Sequence, residues 1–487
     1  MNRYVTTCLA LLLFAAPAQA QTAAPEPVIP DTPAGRLVRE WLRAAASGDT
    51  ALVLEYVRRY EAQNPADSNE VREIAGQILG FKERSGGFMV KQILHDQPEE
   101  MVLLLRTVQG RALRLRYGVE QTGDGGGYRA SAVGLRPDEP EERPESVPPR
   151  LSDEAMARLL GERLDARAAG DRFSGALLVA HDGRPVFRAA YGIADRRTGA
   201  RNTVDTKFTL ASMGKMFTAV AIARLVEQGK VVLDSPIVRY LPDYPNADFA
   251  RHATVRHLLS HTSGLGSFWN RLYEERRTTL TTLASHLPLF VNDPLPFAPG
   301  TRFRYSNAGF QVLGLIVERV SGQSYYDFVR DHIFAPAGMT NTGYYGADGE
   351  VAGGAVGYTR DGGGPAGALR DNLGGRELRG GAAGGGYSTV EDLRRFAEAL
   401  TGGRLIRAET LKQFTAPSDN RNGYGLGFVT ETYHGHRTFG HSGGAPGMGT
   451  NLIIVPDLGY VAVVLTNYDP PLMRPVNEML RNMVTSR

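Results

Sequence analysis

The chain has 487 residues, 42% hydrophobic and 22% charged, enough to bury one full-sized core and a smaller second one, which excludes global disorder. Lys and Arg total 55 against 52 Asp and Glu, a formal charge of +3 with no long basic tract, so no nucleic acid is expected as partner. Cys8 is the one cysteine, which excludes a disulfide framework and a cysteine-ligated metal.

Residues 1–20 open with Arg3, run through the apolar stretch from Leu9 to Ala16 and close on Ala18-Gln19-Ala20, the parts of a secretory signal cut before Gln21. The apolar run is too short for a comfortable bilayer span. A secreted or periplasmic protein without a stable membrane span is therefore expected. Cys8 would leave with the signal, and no leucine stands three residues before it as a lipid-anchoring signal normally requires.

Residues 32–136 carry a pattern of their own. Leu37, Val38, Trp41, Leu42 and Ala45 recur at helical spacing between Gly35 and Ala46, and a second helix fits Thr50 to Tyr60. Phe88 to Leu94, Glu100 to Thr107, Ala112 to Val119 and Tyr128 to Leu135 read as strands separated by turn residues. Helices followed by an antiparallel sheet predict a small α+β accessory domain. In size and element order it resembles the cone-shaped domains related to nuclear transport factor 2. Residues 137–149, PDEPEERPESVPP, combine proline with like charge and predict an extended linker.

A second, larger domain is expected over 151–487. Leu151 to Leu160 predicts a helix, and Gly175 to Ala180 with Pro185 to Tyr191 flank a hairpin turn at Asp182-Gly183. Near the end, Thr450 to Val455 and Tyr460 to Thr466 are apolar strands, followed by a helix from about Pro471 to Val484. The expected fold class is α+β: an antiparallel sheet built from both ends of the domain, flanked by helices, with a mainly helical insertion between.

Chemistry is carried by three separated phrases. Phe208-Thr-Leu-Ala-Ser212-Met-Gly-Lys215 leads into an apolar helical run over Met216 to Gln228. Ser212 and Lys215, three apart, stand one helical turn from each other, and the helix start favours negative charge developing at the serine oxygen. A nearby ammonium lowers the cost of the alkoxide, or acts as base once its proton affinity is depressed. The second phrase is Pro299-Gly-Thr-Arg-Phe-Arg-Tyr305-Ser-Asn307 and the third is Phe439-Gly-His441-Ser-Gly443-Gly444.

These phrases resemble the serine β-lactamase and penicillin-binding protein superfamily, in the branch with class C β-lactamases, D-alanyl-D-alanine carboxypeptidases and β-lactamase-like esterases. Ser-x-x-Lys falls at Ser212 and Lys215, Tyr-x-Asn at Tyr305 and Asn307, and Lys/His-x-Gly at His441 and Gly443. The flanking phrases His257 to Gly264 and Ala382 to Leu393 match too, so the resemblance runs from about Leu151 to the end. It implies that Ser212 attacks a carbonyl, that Lys215 orients and polarises the serine, and that Tyr305 carries the proton. It also implies an oxyanion hole from the backbone N–H groups of Ser212 and Gly444, with Asn307, His441 and Gly443 at the substrate. Lactamases of this branch usually carry Lys where His441 stands. An imidazole facing the pocket and titrating near about 6.5 would hold a carboxylate weakly.

The implied activity is acyl-enzyme hydrolysis of small esters, or of peptides and amides with D-residues, without metal or organic cofactor. Alternatives are β-lactam hydrolysis and a non-catalytic sensing module; a homo-oligomer is possible. His257 with His261, and His434 with His436, lack a third ligand at zinc spacing. The glycine-rich stretch Gly353 to Gly386 has no phosphate-loop Lys-Ser/Thr and predicts a mobile rim or lid. Phe268, Trp269 and Tyr273 fit a pocket wall or a core equally.

Overall fold

The computed structural model describes residues 27–62, 65–66, 68–108, 110–122, 127–137, 150–345, 351–360, 368–375, 379–417 and 423–486. The expected signal lies outside them, as does the linker except Pro137. The chain forms two compact units divided between Asp138 and Glu139.

In the first unit, Thr32 caps helix α1 (Pro33–Ser47) by accepting from the Gly35 amide at 3.0 Å, and Gly48, at φ +67°, ends it. Helix α2 (Thr50–Tyr56) continues into a π-helical turn, and α3 (Ser68–Ser85) follows, a helix that the sequence pattern did not suggest. Strands β1 (Phe88–Gln97), β2 (Glu100–Thr107), β3 (Ala112–Gln121) and β4 (Tyr128–Pro137) form an antiparallel sheet in chain order. Pro137, expected in the linker, is the last β4 residue, opposite Leu113. Trp41, Phe81, Leu103 and Tyr117 are among the residues that fill the core.

The second unit is organised by a six-stranded antiparallel sheet. Its strands are β5 (Gly175–His181), β6 (Arg184–Tyr191), β7 (Val429–Tyr433), β8 (His436–Ala445), β9 (Met448–Val455) and β10 (Tyr460–Thr466), in the order β7-β8-β9-β10-β5-β6. Strands from both ends of the unit meet at β10 and β5, where Thr466 faces Gly175 and Tyr460 faces His181. Alternate side chains leave the sheet on opposite faces. Leu177, Val179, Ala462 and Val464 pack with helices α4 (Asp153–Ala169) and α8 (Pro470–Thr485). Leu178, Ala180, Val463 and Leu465 pack with α5 (Lys215–Glu227), α6 (Asn307–Ser321) and α7 (Val390–Thr401). Ten of the 13 residues of α5 are buried, Lys215 among them. A helix apolar on all sides belongs in the middle of a core, and its first turn is thereby held in the protein interior. Among the described residues no helix is long and apolar enough to cross a membrane.

Candidate active site

Ser212 lies in the 3-10 turn Ala211–Gly214, which runs directly into α5. Ala211 has φ +49°, left-handed geometry that costs a residue with a Cβ roughly 1–2 kcal/mol. Backbone contacts hold the turn in place: Gly385 N donates to Ala211 O, and Leu210 N to Gly386 O, both at 3.1 Å. A Cβ on Gly384 would stand 2.6 Å from the Ala211 oxygen and 3.2 Å from the Ser212 nitrogen, so only glycine permits the approach. The end of the glycine-rich stretch is therefore packed scaffold under the serine turn. This corrects the expected mobile rim for residues 380–386; residues 361–367 and 376–378 lie outside the described part.

The Lys215 ammonium is completely buried. It donates to Ser212 Oγ at 3.2 Å, Asn307 Oδ1 at 2.7 Å and the Ala383 carbonyl at 2.5 Å. An ammonium has three N–H bonds, and these three acceptors match them. The cation also stands 4.8 Å from the Tyr305 ring centroid and 5.4 Å from that of Phe310, a favourable placement for positive charge.

The Tyr305 phenol lies beside Ser212. The residue keeps 39% of its surface open, while protein crowded around the rest pushes the phenol up to about 12; the nearby Ser212 hydroxyl pulls the other way. Asn307 opens α6 behind the cap residue Ser306, whose Oγ accepts from Gly309 N at 2.8 Å and donates to Gly266 O at 2.9 Å. Asn307 is buried, and its amide oxygen serves Lys215.

The two histidines of the His257 phrase hold backbone in place. His257 completes a capping box with Thr254. His261 Nδ1 accepts from Ser306 N at 3.0 Å, and the ring packs at a tilt 4.2 Å from Tyr305 and 4.5 Å from Tyr424, measured between centroids. Among the described residues no metal-binding cluster of His, Cys, Asp or Glu occurs.

His441 departs from expectation. It is buried, its Nδ1 lies 2.5 Å from the Ser442 carbonyl, and its Nε2 lies 2.9 Å from Tyr424 Oη. Burial first, and the Lys215 charge second, push the imidazole down to about 3. The ring is therefore neutral at working pH and directed into the protein, neither facing the pocket nor titrating near 6.5. Tyr424 was not singled out from the sequence. It comes from the segment just before β7, 17 residues from His441, and the pairing depends on how that segment folds back on the β7–β8 hairpin.

The segment from His441 to Gly444 is itself part of β8. A Cβ on Gly443 would stand 2.2 Å from Leu210 O, 2.6 Å from Thr450 Oγ1 and 3.0 Å from Met213 N. Thr450 Oγ1 donates to the same Leu210 carbonyl at 2.9 Å. The missing side chain at 443 thus lets the strand lie directly on the serine turn. Gly444 then shares with Ser212 the wall of a cavity of about 520 Å³. Trp269, Tyr273, Tyr345 and Met448 give the wall its apolar area, and Glu274 is its one charged side chain among the described residues. Trp269 is 49% exposed, Phe268 belongs to the core, and Tyr273 is buried yet touches the cavity.

A serine at the head of a buried helix, tied to lysine and tyrosine and overlain by a sheet edge, defines a class of α+β proteins built to present one hydroxyl to a cleft. The chain belongs to the Beta-lactamase family, whose model matches residues 154–482. It is similar to the putative penicillin-binding protein PbpX of Bacillus subtilis (strain 168), 31% identical over 53% of this chain and 62% of that protein. It is also similar to Esterase EstB of Burkholderia gladioli, 37% identical over 41% of this chain and 54% of the esterase. The match thus spans less than two thirds of either protein. Among solved structures, the D-amino acid amidase from Ochrobactrum anthropi SV3, complexed with L-phenylalanine amide, superposes with a TM-score of 0.58. It is 27% identical, covering 68% of this chain and 99% of the amidase.

Proposed function

We propose that this chain is an exported serine hydrolase that forms an acyl-enzyme at Ser212 and cleaves small esters or amides with apolar acyl groups. The observation that carries this is the Lys215 ammonium joining Ser212 Oγ, Asn307 Oδ1 and the Ala383 carbonyl, with Tyr305 beside the same serine.

At rest the pair is an ammonium and a phenol. Loss of one proton from it supplies the base, and the two groups titrate as a unit. Ser212 Oγ then bonds to the carbonyl carbon as its proton passes to the Tyr305 oxygen, and the carbonyl π electrons become an oxyanion. The N–H groups of Ser212 and Gly444 are assigned to that oxyanion, where loss of one such donor typically costs 10²–10³ in rate, about 2.7–4 kcal/mol. Collapse breaks the bond to the leaving group, which takes the proton back from Tyr305. Water repeats the sequence to release the acid.

Glu274 on the cavity wall favours a second reading, in which the acyl group carries an amine, as in amides of D-amino acids. Fluorophosphonate labelling followed by intact-mass spectrometry tests the chemistry. One adduct on the wild type and none on Ser212→Ala is expected. An unlabelled, folded wild type would instead favour a sensing module.

A further inference from the structure

The hairpin that carries Gly444 closes on a turn of unfavourable hand. Ala445 faces Met448 across the β8–β9 ladder, so the turn is the pair Pro446-Gly447. Proline fixes its φ near about −65°, and Gly447 has φ +73°, the pattern of a type II turn. Two-residue hairpins favour the I′ and II′ turns, because type II splays the strands against their twist. The peptide between Pro446 and Gly447 therefore needs holding from outside. Its carbonyl accepts from Asn372 Nδ2 at 2.9 Å, and its N–H donates to Asp469 Oδ1 at 2.7 Å. Asp469 is available for this because of the residues that follow it. It stands at the cap position of α8 yet makes no side-chain cap bond. Pro470 and Pro471 open the helix and have no N–H to offer, and Leu472 N donates to the backbone carbonyl of Asp469 at 3.1 Å. The buried carboxylate turns instead to Gly447 N, to Arg360 N at 2.9 Å and to Thr359 Oγ1 at 3.2 Å. Pro470 presses on β8 in its turn, since a Cβ on Gly444 would stand 2.7 Å from its Cγ. Gly443 meets the serine turn and Gly444 meets Pro470, so the strand end is gripped on both faces.

We propose that Asp469 is a positioning residue of the oxyanion hole: together with Asn372 it holds the central peptide of the β8–β9 turn, and so keeps the Gly444 N–H aimed at the place assigned to the oxyanion. This rests on the acyl-serine reading. Asp469 is not on the cavity wall, whereas Gly444, Ala445, Pro446 and Met448 all are, so it acts on the reaction through the backbone that it ties. Released at Gly447, a type II turn relaxes by rotating its central peptide, and the strand end that begins one residue away moves with it.

The experiment measures three quantities: kcat and KM on p-nitrophenyl valerate, the urea midpoint, and inhibition by phenylboronic acid, whose tetrahedral adduct on a serine puts an oxygen where the oxyanion forms. Asp469→Ala removes the acceptor of Gly447 N. Its kcat should fall about 10- to 100-fold, as for a group displaced by up to about 1 Å, with KM within about threefold of wild type and the phenylboronic acid Ki raised at least about fivefold. Asn372→Ala frees the other end of the same peptide and should lower kcat about three- to tenfold, and the double variant should fall short of the product of the two losses. Thr359→Val removes a partner of the same carboxylate without touching the turn, and its kcat should stay within about twofold of wild type. A folded Asp469→Ala whose urea midpoint drops while kcat and Ki stay within about twofold of wild type would make Asp469 purely structural and overturn the proposal. Losses in Asp469→Ala and Asn372→Ala that simply multiply would overturn it as well, by showing that the two side chains do not act on one peptide. Should Asp469→Ala not fold, Asn372→Ala decides, and a kcat within about twofold of wild type overturns the proposal. If the wild type neither cleaves the ester nor is labelled at Ser212, the acyl-serine reading falls, and this proposal with it.

Discussion

Gly443→Ala should separate the serine turn from the sheet edge while leaving every proposed catalytic side chain in place. The alanine Cβ would stand 2.2 Å from the Leu210 carbonyl oxygen, whereas real Cβ atoms essentially never come within 3.0 Å of a neighbour. Strand and turn must part by at least about 0.8 Å, since backbone oxygen on one side and the β8–β9 ladder on the other leave no flexible side chain to yield. Gly444 follows immediately in β8, so its N–H moves with the strand. A displacement of about 1 Å in a positioned group can cost about 10²-fold, and outright loss of one oxyanion donor 10²–10³. The stability cost of such overpacking is about 1–3 kcal/mol, leaving a protein of this size folded at 25 °C. The assay is kcat/KM on p-nitrophenyl valerate for wild type, Gly443→Ala and Gly374→Ala, the last a control whose new Cβ meets nothing within 4 Å. A fall of 10²–10³ carried mainly by kcat is expected for the first variant, and a change within about twofold for the control. If Gly443→Ala retains its circular dichroism spectrum and stays within about threefold of wild type, the sheet edge does not position an oxyanion donor.

Three further outcomes follow from the geometry. Lys215→Ala and Tyr305→Phe should each lower kcat/KM severely, and the double variant little further, because groups acting as a unit are non-additive; multiplicative losses in steady-state kinetics would assign them separate steps. His441, pushed down to about 3, and His261, pushed well below 6.5, stay neutral when folded, whereas the unfolded chain takes protons below about 6.5. Stability is therefore full above pH 6.5 and declines as pH falls towards the folded values, His441 contributing about 2 kcal/mol of that loss at pH 5 and His261 acting in the same direction. Urea titrations at pH 8 and pH 5 should show His441→Gln losing less stability between them than the wild type; an identical loss would contradict the assignment. Finally, Glu274→Gln should weaken turnover of D-phenylalanine amide by several-fold in KM while sparing p-nitrophenyl valerate, consistent with a modest exposed ion pair; parallel losses on both substrates would make Glu274 a purely structural rim residue.

Much of this architecture is legible in the sequence because it follows local rules. The apolar runs at Gly175, Thr450 and Tyr460 announced strands, and the run after Lys215 announced a buried helix. Ser212, Lys215, Tyr305 and Asn307 converge as their phrases implied. The segment around His441 was not read as a strand, because three of its residues are glycines needed for close approach or a sheet edge rather than for a turn. Helix α3 was missed although Val71, Ala75, Ile78 and Phe81 recur at helical spacing and are buried. The burial of His441 could not be read locally either. Whether a histidine faces solvent or a buried tyrosine depends on β8 register and on how the segment before β7 folds back, and neither leaves a periodic trace.

The pairing of β5 with β10 has a consequence for how the molecule is made. Strands β1 to β4 pair with neighbours in chain order, so the first unit can complete its sheet soon after synthesis. In the second unit, β5 and β6 must wait for β10, while the helical middle, with its local contacts, can begin to associate earlier. A nascent chain stalled before His436 would therefore hold a serine turn whose covering strand is absent, and one stalled before Tyr460 would lack the strand that joins the two ends of the sheet. The surroundings of Ser212 are thus completed only by the last strands to be synthesised, and until then the chain carries the serine turn without the sheet that packs on it.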